Sequence, residues 1–125
     1  MNKTYTCSIT YYDFLTLNVD EHKKIEIILT INDRDRNLIL SKETTDKLIL
    51  DLKEYLSDLI LKLNVKSFFK TYGKSKDKAL LKIYTEDDNL AFAFNKNISS
   101  TGERKVCLNT TKISQLIKDL ETISI

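Results

Sequence analysis

A run of lysines interleaved with aromatic residues is the pattern in this sequence best suited to binding a ligand. Between residues 62 and 82, seven lysines accompany one acidic residue, Asp77. Ammonium groups neutralise phosphates and exposed aromatic rings stack on bases, which is the combination that single-strand binding uses. The segment therefore predicts contacts with single-stranded DNA or RNA from the following residues: Lys66, Phe68, Lys70, Tyr72, Lys74, Lys76, Lys78, Lys82 and Tyr84.

The same segment also fits a purely structural interpretation. Phe68, Phe69 and Tyr72 fit a short core strand, and the lysines fit a solvated loop that keeps the protein soluble. Charge is unevenly spread, because residues 1–61 carry eight basic and eleven acidic groups, whereas residues 62–125 carry twelve and seven. This uneven charge is compatible with nucleic-acid binding, but the lysines do not have a spacing that distinguishes binding from the structural interpretation.

Two charged loops predict a different function, in which the chain is a protein-binding inhibitor or accessory module of the phage or mobile-element type. Such a module covers the surface of a partner of opposite charge. The residues that would form its docking face are Asp33, Arg34, Asp35 and Arg36 in one loop and Glu86, Asp87 and Asp88 in the other.

Catalytic and metal-binding chemistry has little support in the sequence. The only histidine, His22, falls in a predicted turn, and one histidine cannot supply both a general base and a metal cluster. Consecutive carboxylates such as Asp87 and Asp88 cannot all converge on one cation. Neither a glycine-rich phosphate loop nor a nucleophile elbow occurs. We therefore predict a protein that is not an enzyme and has no metal or cofactor.

Composition predicts one domain, residues 1–125, with 42% hydrophobic and 30% charged residues in a 125-residue chain. Cys7 and Cys107 lie far apart in sequence, so the spacing implies neither a disulfide framework nor a metal cage, and we expect both thiols to be reduced and buried. No apolar run approaches the length of a bilayer span, which predicts a cytoplasmic protein without membrane contact.

A strand-to-helix joint occurs twice, 68 residues apart. Arginine, leucine, Leu-Ile and Asp-Leu of residues 35–53 recur in register in residues 103–121. In each copy an apolar strand stops at a helix-capping residue, Ser41 or Asn109, and an amphipathic helix follows. The duplication predicts two pseudo-repeat halves, at about 3–63 and 66–123.

Hydrophobic periodicity places four strands before each helix. The predicted strands lie at 3–12, 14–19, 25–31, 38–40, 68–72, 79–85, 90–94 and 104–108. Residues 32–37 and the segment from 97 to 102 are expected to be loops. The first helix carries extra apolar residues, among them Leu50 and Ile60, which predicts burial on more than one side or packing across the two-fold axis of a homodimer. The fold class is thus α+β, two tandem ββββα pseudo-repeats of antiparallel sheets and two helices packed as one domain.

Two such repeats, each ending in Leu-(Ser/Asn)-x6-Leu-Ile-x-Asp-Leu at Leu40-Ser41 and Leu108-Asn109, resemble the PUR-repeat proteins and, more loosely, the Whirly group. Both groups bind single-stranded nucleic acid. The resemblance covers nearly the whole chain in element order and implies a PUR-like, single-strand-binding function.

Overall fold

The computed structural model of the chain describes residues 2–60, 68–73, 80–94, 98–99 and 102–123, which form ten strands and two helices. The strands of the first half are β1 (Asn2–Thr6), β2 (Phe14–Val19), β3 (Ile25–Ile31) and β4 (Arg34–Leu40). Those of the second half are β5 (Phe69–Tyr72), β6 (Leu81–Glu86), β7 (Asn89–Phe94), β8 (Ile98–Ser99), β9 (Gly102–Glu103) and β10 (Val106–Leu108). The helices are α1 (Lys42–Ile60) and α2 (Thr110–Ile123).

Two antiparallel four-stranded sheets carry the fold. The first sheet has the order β1-β2-β3-β4 and precedes α1, and the second sheet has the order β5-β6-β7-β10 and precedes α2. The predicted α+β arrangement of two ββββα units is therefore confirmed. The second unit also contains a small two-stranded ribbon of β8 and β9. The prediction of a loop between 97 and 102 is therefore wrong for the residues of that segment that the structure describes.

Alternation of apolar residues explains the strands of the first sheet. In β3, Ile25, Ile27, Leu29 and Ile31 are buried and the intervening residues are half-exposed, as expected for a strand with one face on the core. Their partners on neighbouring strands are also apolar; Leu29, for example, pairs with Leu15. These side chains belong to one buried cluster that includes residues of both halves.

The expected loop at 32–37 is instead a tight hairpin turn followed by a strand. Asn32 and Asp33 have φ angles of 53° and 62°, and Ile31 pairs with Arg34 on either side of them. Two consecutive left-handed residues form the turn whose twist suits a two-residue hairpin, and Asn and Asp tolerate that conformation. Arg34, Asp35 and Arg36 consequently belong to β4. Alternating charge concealed the strand because none of these three side chains is apolar.

The first strand is shorter than predicted. It ends at Thr6, and a turn at residues 8–12 leads into β2. Tyr5 and Cys7 are buried as expected, whereas Ile9 and Tyr11 are exposed. The alternation of polar and apolar residues continues in the sequence beyond Cys7, but the backbone turns away from the core there.

The repeated joint has the same atomic structure in both halves. The Ser41 hydroxyl accepts a hydrogen bond from the backbone N–H of Thr44 at 3.1 Å, and the Asn109 side chain accepts one from Lys112 at 3.0 Å. These are N-cap bonds, which satisfy an N–H group that the helix itself leaves without a partner. The predicted capping roles of Ser41 and Asn109 are confirmed.

In each half, a tyrosine hydroxyl also donates a hydrogen bond to an aspartate in the helix of the other half. Tyr5 in β1 donates to Asp119 in α2, and Tyr72 in β5 donates to Asp51 in α1 at 2.6 Å. Asp51 and Asp119 are the aspartates of the repeated Asp-Leu pair. The two bonds therefore cross between the halves, and the repeated motif joins the halves as well as ending each one.

The first helix is amphipathic and buries one side. Leu48 and Leu52 are inaccessible to solvent, whereas Leu50 and Ile60 are 67% and 79% exposed. The expected burial of this helix on more than one side is therefore wrong for the chain by itself. In the described part of the chain, no helix is long and apolar enough to cross a membrane.

Candidate functional site

One face of the second sheet presents a pair of aromatic residues, of which Phe69 is exposed and Tyr84 is half-buried. Residues opposite each other on neighbouring antiparallel strands share a face. Phe69 lies opposite Tyr84, and Thr71 lies opposite Lys82. We refer to these four residues as the aromatic face. Leu81 and Ile83, which alternate with them on β6, point the other way and are buried.

Phe69 and Tyr84 form a stacked pair across the edge of the sheet. Their ring centroids lie 6.4 Å apart with 26° between the ring planes, and Phe69 is 58% exposed. A phenylalanine this exposed contributes little to a core, so its large ring is available to a ligand. Contact with Tyr84 favours one orientation of the Phe69 ring, so less side-chain entropy is lost when a ligand binds to that ring.

The predicted nucleic-acid residues divide between the two faces of the second sheet. Lys82 and Tyr84 lie on the aromatic face, but Lys70 lies opposite Ile83 and therefore on the core side. Tyr72 lies on that side as well, opposite Leu81. Four predicted lysines fall outside the described residues: Lys66, Lys74, Lys76 and Lys78.

Tyr72 is a core residue, so its prediction as a stacking residue is wrong. It is 2% exposed, its hydroxyl bonds to Asp51, and Lys47 Nζ lies 5.9 Å from the centre of its ring. Phe68 is half-buried and meets Tyr55 edge-on at 5.5 Å between ring centroids. For these two residues the structural interpretation of the segment holds. The physical reason is the period of two along the strand, which turns Phe68 and Tyr72 inwards and Phe69 outwards.

Phe69 is the residue that the sequence prediction missed. A signal for it was present, because Lys82 and Tyr84 alternate with Leu81 and Ile83 and so mark the outer face of β6. Choosing between Phe68 and Phe69 required the register of β5 against β6. Sequence alone does not supply that register.

Beyond the aromatic pair, the residues that lie in the same row across the sheet are small. Tyr84 pairs with Ala91, and Ala91 pairs with Cys107 on β10. Ala91 and Cys107 are 0% and 1% exposed, so a ligand on Phe69 does not reach them. Lys105, which precedes β10, forms an ion pair with Glu86 at the end of β6.

The two charged loops differ in how far they are exposed. In the first, the side chains of Asp33, Arg34, Asp35 and Arg36 are all exposed, and the Asp35 carboxylate accepts a hydrogen bond from the Thr30 hydroxyl at 2.6 Å. The turn and the start of β4 therefore offer an accessible polar surface.

In the second loop, Asp87 and Asp88 form the exposed turn between β6 and β7, with Asp87 at a φ of 52°. Glu86 is half-buried, pairs with Lys105 and accepts a weak hydrogen bond from the Cys107 thiol at 3.9 Å. Its prediction as part of an open docking face is therefore wrong. In the described ranges, no group of three or more His, Cys, Asp or Glu side chains is placed to hold a metal ion.

Two cysteines separated by 100 residues meet where the halves join. The backbone N–H of Cys107 donates to Cys7 Sγ at 3.3 Å, and both thiols are free and buried, as predicted. Interaction with the Cys107 side chain lowers the pKa of Cys7 below its usual value, and interaction with Cys7, together with burial, raises the pKa of Cys107. Sequence spacing could not reveal this pair.

The helices enclose a groove of about 430 Å³. Lys53 and Glu121, which are equivalent under the 68-residue shift, form an ion pair at 2.8 Å. The groove is lined by Lys53, Leu56, Ser57, Ile60, Ser114, Ile117, Lys118 and Glu121. Because α1 contributes residues after Lys53 and α2 contributes residues before Glu121, the helices run antiparallel.

No known protein-family model matches this sequence, and a search of characterised proteins finds no similar one.

Proposed function

We propose that this chain is a non-enzymatic, cytoplasmic protein that binds single-stranded DNA or RNA through the aromatic face of its second sheet. The observation that carries the proposal is the stacked pair of Phe69 and Tyr84, with Phe69 largely exposed beside Lys82. A planar base gains from stacking on such a ring, and the gain is tolerant of sequence because every base has an aromatic surface.

Charge adds a second line of support. Residues 62–125 carry an excess of five basic groups, and the lysines on either side of β5 belong to that half. Phosphate neutralisation supplies a sequence-independent attraction that weakens as salt rises. Two sheets that each precede a helix are also the arrangement that the PUR-repeat resemblance implies. That supports the proposal at the level of fold alone. The two free, buried thiols fit a reducing cytoplasm.

The direct test is a fluorescence-anisotropy titration of a labelled single-stranded oligonucleotide at low salt. Phe69→Ala removes the exposed ring, and one lost stack weakens binding by about 1–3 kcal/mol. Ile39→Ala is the matched control, since Ile39 is also 58% exposed but lies on the first sheet. Binding that is equally strong in both variants, or absent in the wild type, would contradict the proposal.

Lys82→Gln tests the electrostatic part separately. Losing one phosphate contact on a single strand should lower the slope of log affinity against log salt by about 0.7. Lys3→Gln is the control, because Lys3 is exposed on β1 of the first sheet and carries the same charge. Equal slopes for the two variants would remove Lys82 from the interface.

A second candidate function is favoured by the exposed charges of β4. This strand is the edge of the first sheet, and Arg34, Asp35 and Arg36 are all exposed on it. A protein partner of complementary charge would dock there, as the inhibitor or accessory hypothesis requires. Charge reversal at Arg34 and Arg36 should then weaken binding to a protein partner and leave oligonucleotide binding unchanged.

A homodimer would cover the exposed apolar residues of α1. Leu50 and Ile60 are the exposed apolar residues of the helix that such a contact would bury. Light scattering after size exclusion measures the mass directly. A mass of 14.5 kDa at the highest attainable concentration would rule out the dimer.

A further inference from the structure

The longest edge strand of the two sheets is β4. It is the last strand of the first sheet, and its seven residues, Arg34–Leu40, pair with β3 in one uninterrupted register without a bulge. The other edge strands are shorter, with five residues in β1, four in β5 and three in β10. A long, regular edge without proline is a template on which a further strand can pair.

Every second residue of β4 directs its backbone groups away from β3. Ile31 and Arg34 close a two-residue hairpin and so form a hydrogen-bonded pair, and such pairs alternate along antiparallel strands. The N–H and C=O groups of Asp35, Asn37 and Ile39 therefore face the open edge. No backbone hydrogen bond from another described residue reaches them. The edge thus presents a row of donors and acceptors to an extended chain.

Two arginines project from one face of this edge. Residues two apart on a strand share a face, so Arg34 and Arg36 lie side by side, about 6.7 Å apart along the strand. Both are exposed, and in the described part of the chain neither forms an ion pair. Asp35 points to the opposite face, where it accepts the hydrogen bond from Thr30. One face of the edge therefore carries two positive charges that no described acidic group neutralises.

The charge pattern disfavours a second copy of the chain as the occupant of this edge. In a two-fold antiparallel pair, residues directly opposite each other point to the same face. The arginines of β4 share their face with Leu38 and Leu40, whereas Asp35 lies on the other face. An arginine could therefore meet an arginine or a leucine of the copy, but never an aspartate. Like charges directly opposite each other destabilise a strand pair.

We infer that β4 binds an extended peptide with two acidic residues two positions apart, which joins the first sheet as an antiparallel fifth strand. The inference names the partner for the second candidate function and rests on it, and it is independent of nucleic-acid binding by the aromatic face. The two acidic residues lie opposite Arg34 and Arg36, at the non-hydrogen-bonded positions where facing side chains come closest. Main-chain bonds supply affinity, and the arginines supply selectivity for acidic side chains.

The other residues of β4 define the rest of the peptide. The residue opposite Asp35 is basic, and those opposite Leu38 and Ile39 are apolar, because Leu38 is half-buried and Ile39 is an exposed apolar side chain. Read from its N-terminus, a peptide that faces residues 39 to 34 is therefore apolar, apolar, polar, acidic, basic and acidic. Val-Ile-Thr-Glu-Lys-Glu has this order and serves as the probe peptide.

Fluorescence anisotropy of the labelled, C-terminally amidated probe peptide measures its binding to the full chain at low salt. The control peptide, Val-Ile-Thr-Lys-Glu-Glu, has the same composition but sets lysine opposite Arg36 and glutamate opposite Asp35. We expect the probe to bind at least tenfold more tightly than the control peptide. Arg34→Glu combined with Arg36→Glu should abolish that preference. Lys3→Glu combined with Lys118→Glu, which changes the net charge equally at exposed sites away from β4, should preserve it.

Methylation of the peptide backbone tests strand addition separately from charge. The amides of the threonine and the lysine in the probe donate towards β4, whereas those of its two glutamates point away. N-methyl groups on the first two amides should weaken binding more than tenfold, and N-methyl groups on the glutamates should change it less than twofold. Both methylated peptides keep every side chain, so their difference reports the main-chain bonds alone.

Amide hydrogen exchange followed by NMR locates the peptide on the chain. In the free chain the amides of Arg36 and Leu38 donate to β3, whereas those of Asp35, Asn37 and Ile39 face solvent and should exchange faster. Saturating probe peptide should slow exchange at these three residues at least tenfold. Unchanged exchange at all three in the complex would overturn the inference.

The outcomes separate this inference from the second candidate function. If charge reversal weakens probe binding but methylation of the threonine and lysine amides does not, docking on the charges of β4 stands and strand addition fails. If the charge-reversed chain binds the probe as tightly as the wild type, β4 is not the docking face and both fail. If neither peptide binds the wild type, or if charge reversal weakens only oligonucleotide binding, the inference is overturned.

Discussion

The buried hydrogen bond between Tyr72 and Asp51 should contribute far more to stability than its counterpart between Tyr5 and Asp119. Asp51 is 8% exposed, so Tyr72→Phe leaves its carboxylate buried beside an apolar ring. Asp119 is half-exposed and also accepts a hydrogen bond from Gln115 at 3.1 Å, so water and Gln115 compensate when the Tyr5 hydroxyl is removed.

Hydrogen bonds to charged groups contribute about 1.5–3 kcal/mol, and a buried carboxylate left without a donor lies at the upper end of that range. We therefore expect Tyr72→Phe to lower the free energy of unfolding by about 3 kcal/mol and Tyr5→Phe to lower it by about 1 kcal/mol. Urea unfolding followed by circular dichroism measures both values, provided that the slope against urea stays constant.

Adding Asp51→Asn to Tyr72→Phe should recover part of the loss, because the double variant no longer buries a charge without a partner. Equal costs for the two tyrosine variants, or a double variant less stable than Tyr72→Phe, would refute the reasoning. Either result would mean that the crossed bonds do not hold the halves together as described.

Three further predictions concern pH, the helix caps and the thiols. Burial, and secondarily the neighbouring carboxylate, raises the pKa of both Tyr5 and Tyr72 above their usual value of about 10, so the neutral form is favoured in the folded state. Stability from this source is complete below pH 10 and should fall by about 1.4 kcal/mol per pH unit per tyrosine above it; replacing both tyrosines by phenylalanine should remove their share of the fall and leave that of Tyr55, whose pKa burial also raises. Ser41→Ala should cost about 1 kcal/mol in urea unfolding and Ser41→Asp much less, because only the latter keeps an acceptor at the N-cap; equal losses would contradict the capping role. Treatment with diamide should join Cys7 to Cys107 with the loss of one hydrogen from each thiol, seen as a mass decrease of about 2 Da that dithiothreitol reverses, whereas an unchanged mass in the folded protein would contradict the contact.

Local patterns determine the parts of this fold that the sequence predicts well. The strands Phe14–Val19 and Ile25–Ile31 have the predicted bounds because their alternation matches one buried and one open face. The helix starts after Ser41 and Asn109 were also predicted, since capping depends on residues only three positions apart.

Features that depend on long-range contacts were not predicted. The meeting of Cys7 with Cys107 and the crossed tyrosine bonds join residues about 20 to 114 positions apart, and no local pattern records them. The same limit applies to the candidate site. Lys82 and Tyr84 were assigned from composition, but Phe69 joins them only through the register of β5 against β6.

Photo-crosslinking is the measurement that tests single-strand binding by the aromatic face most directly. An oligonucleotide containing 5-bromouridine is irradiated with the full chain at low salt, and the crosslinked peptides are identified by mass spectrometry. We predict crosslinks at Phe69 and Tyr84, lost in competition with unlabelled oligonucleotide and reduced at high salt. Crosslinks confined to β4, or none at all under conditions that crosslink a known single-strand binder, would contradict the proposal.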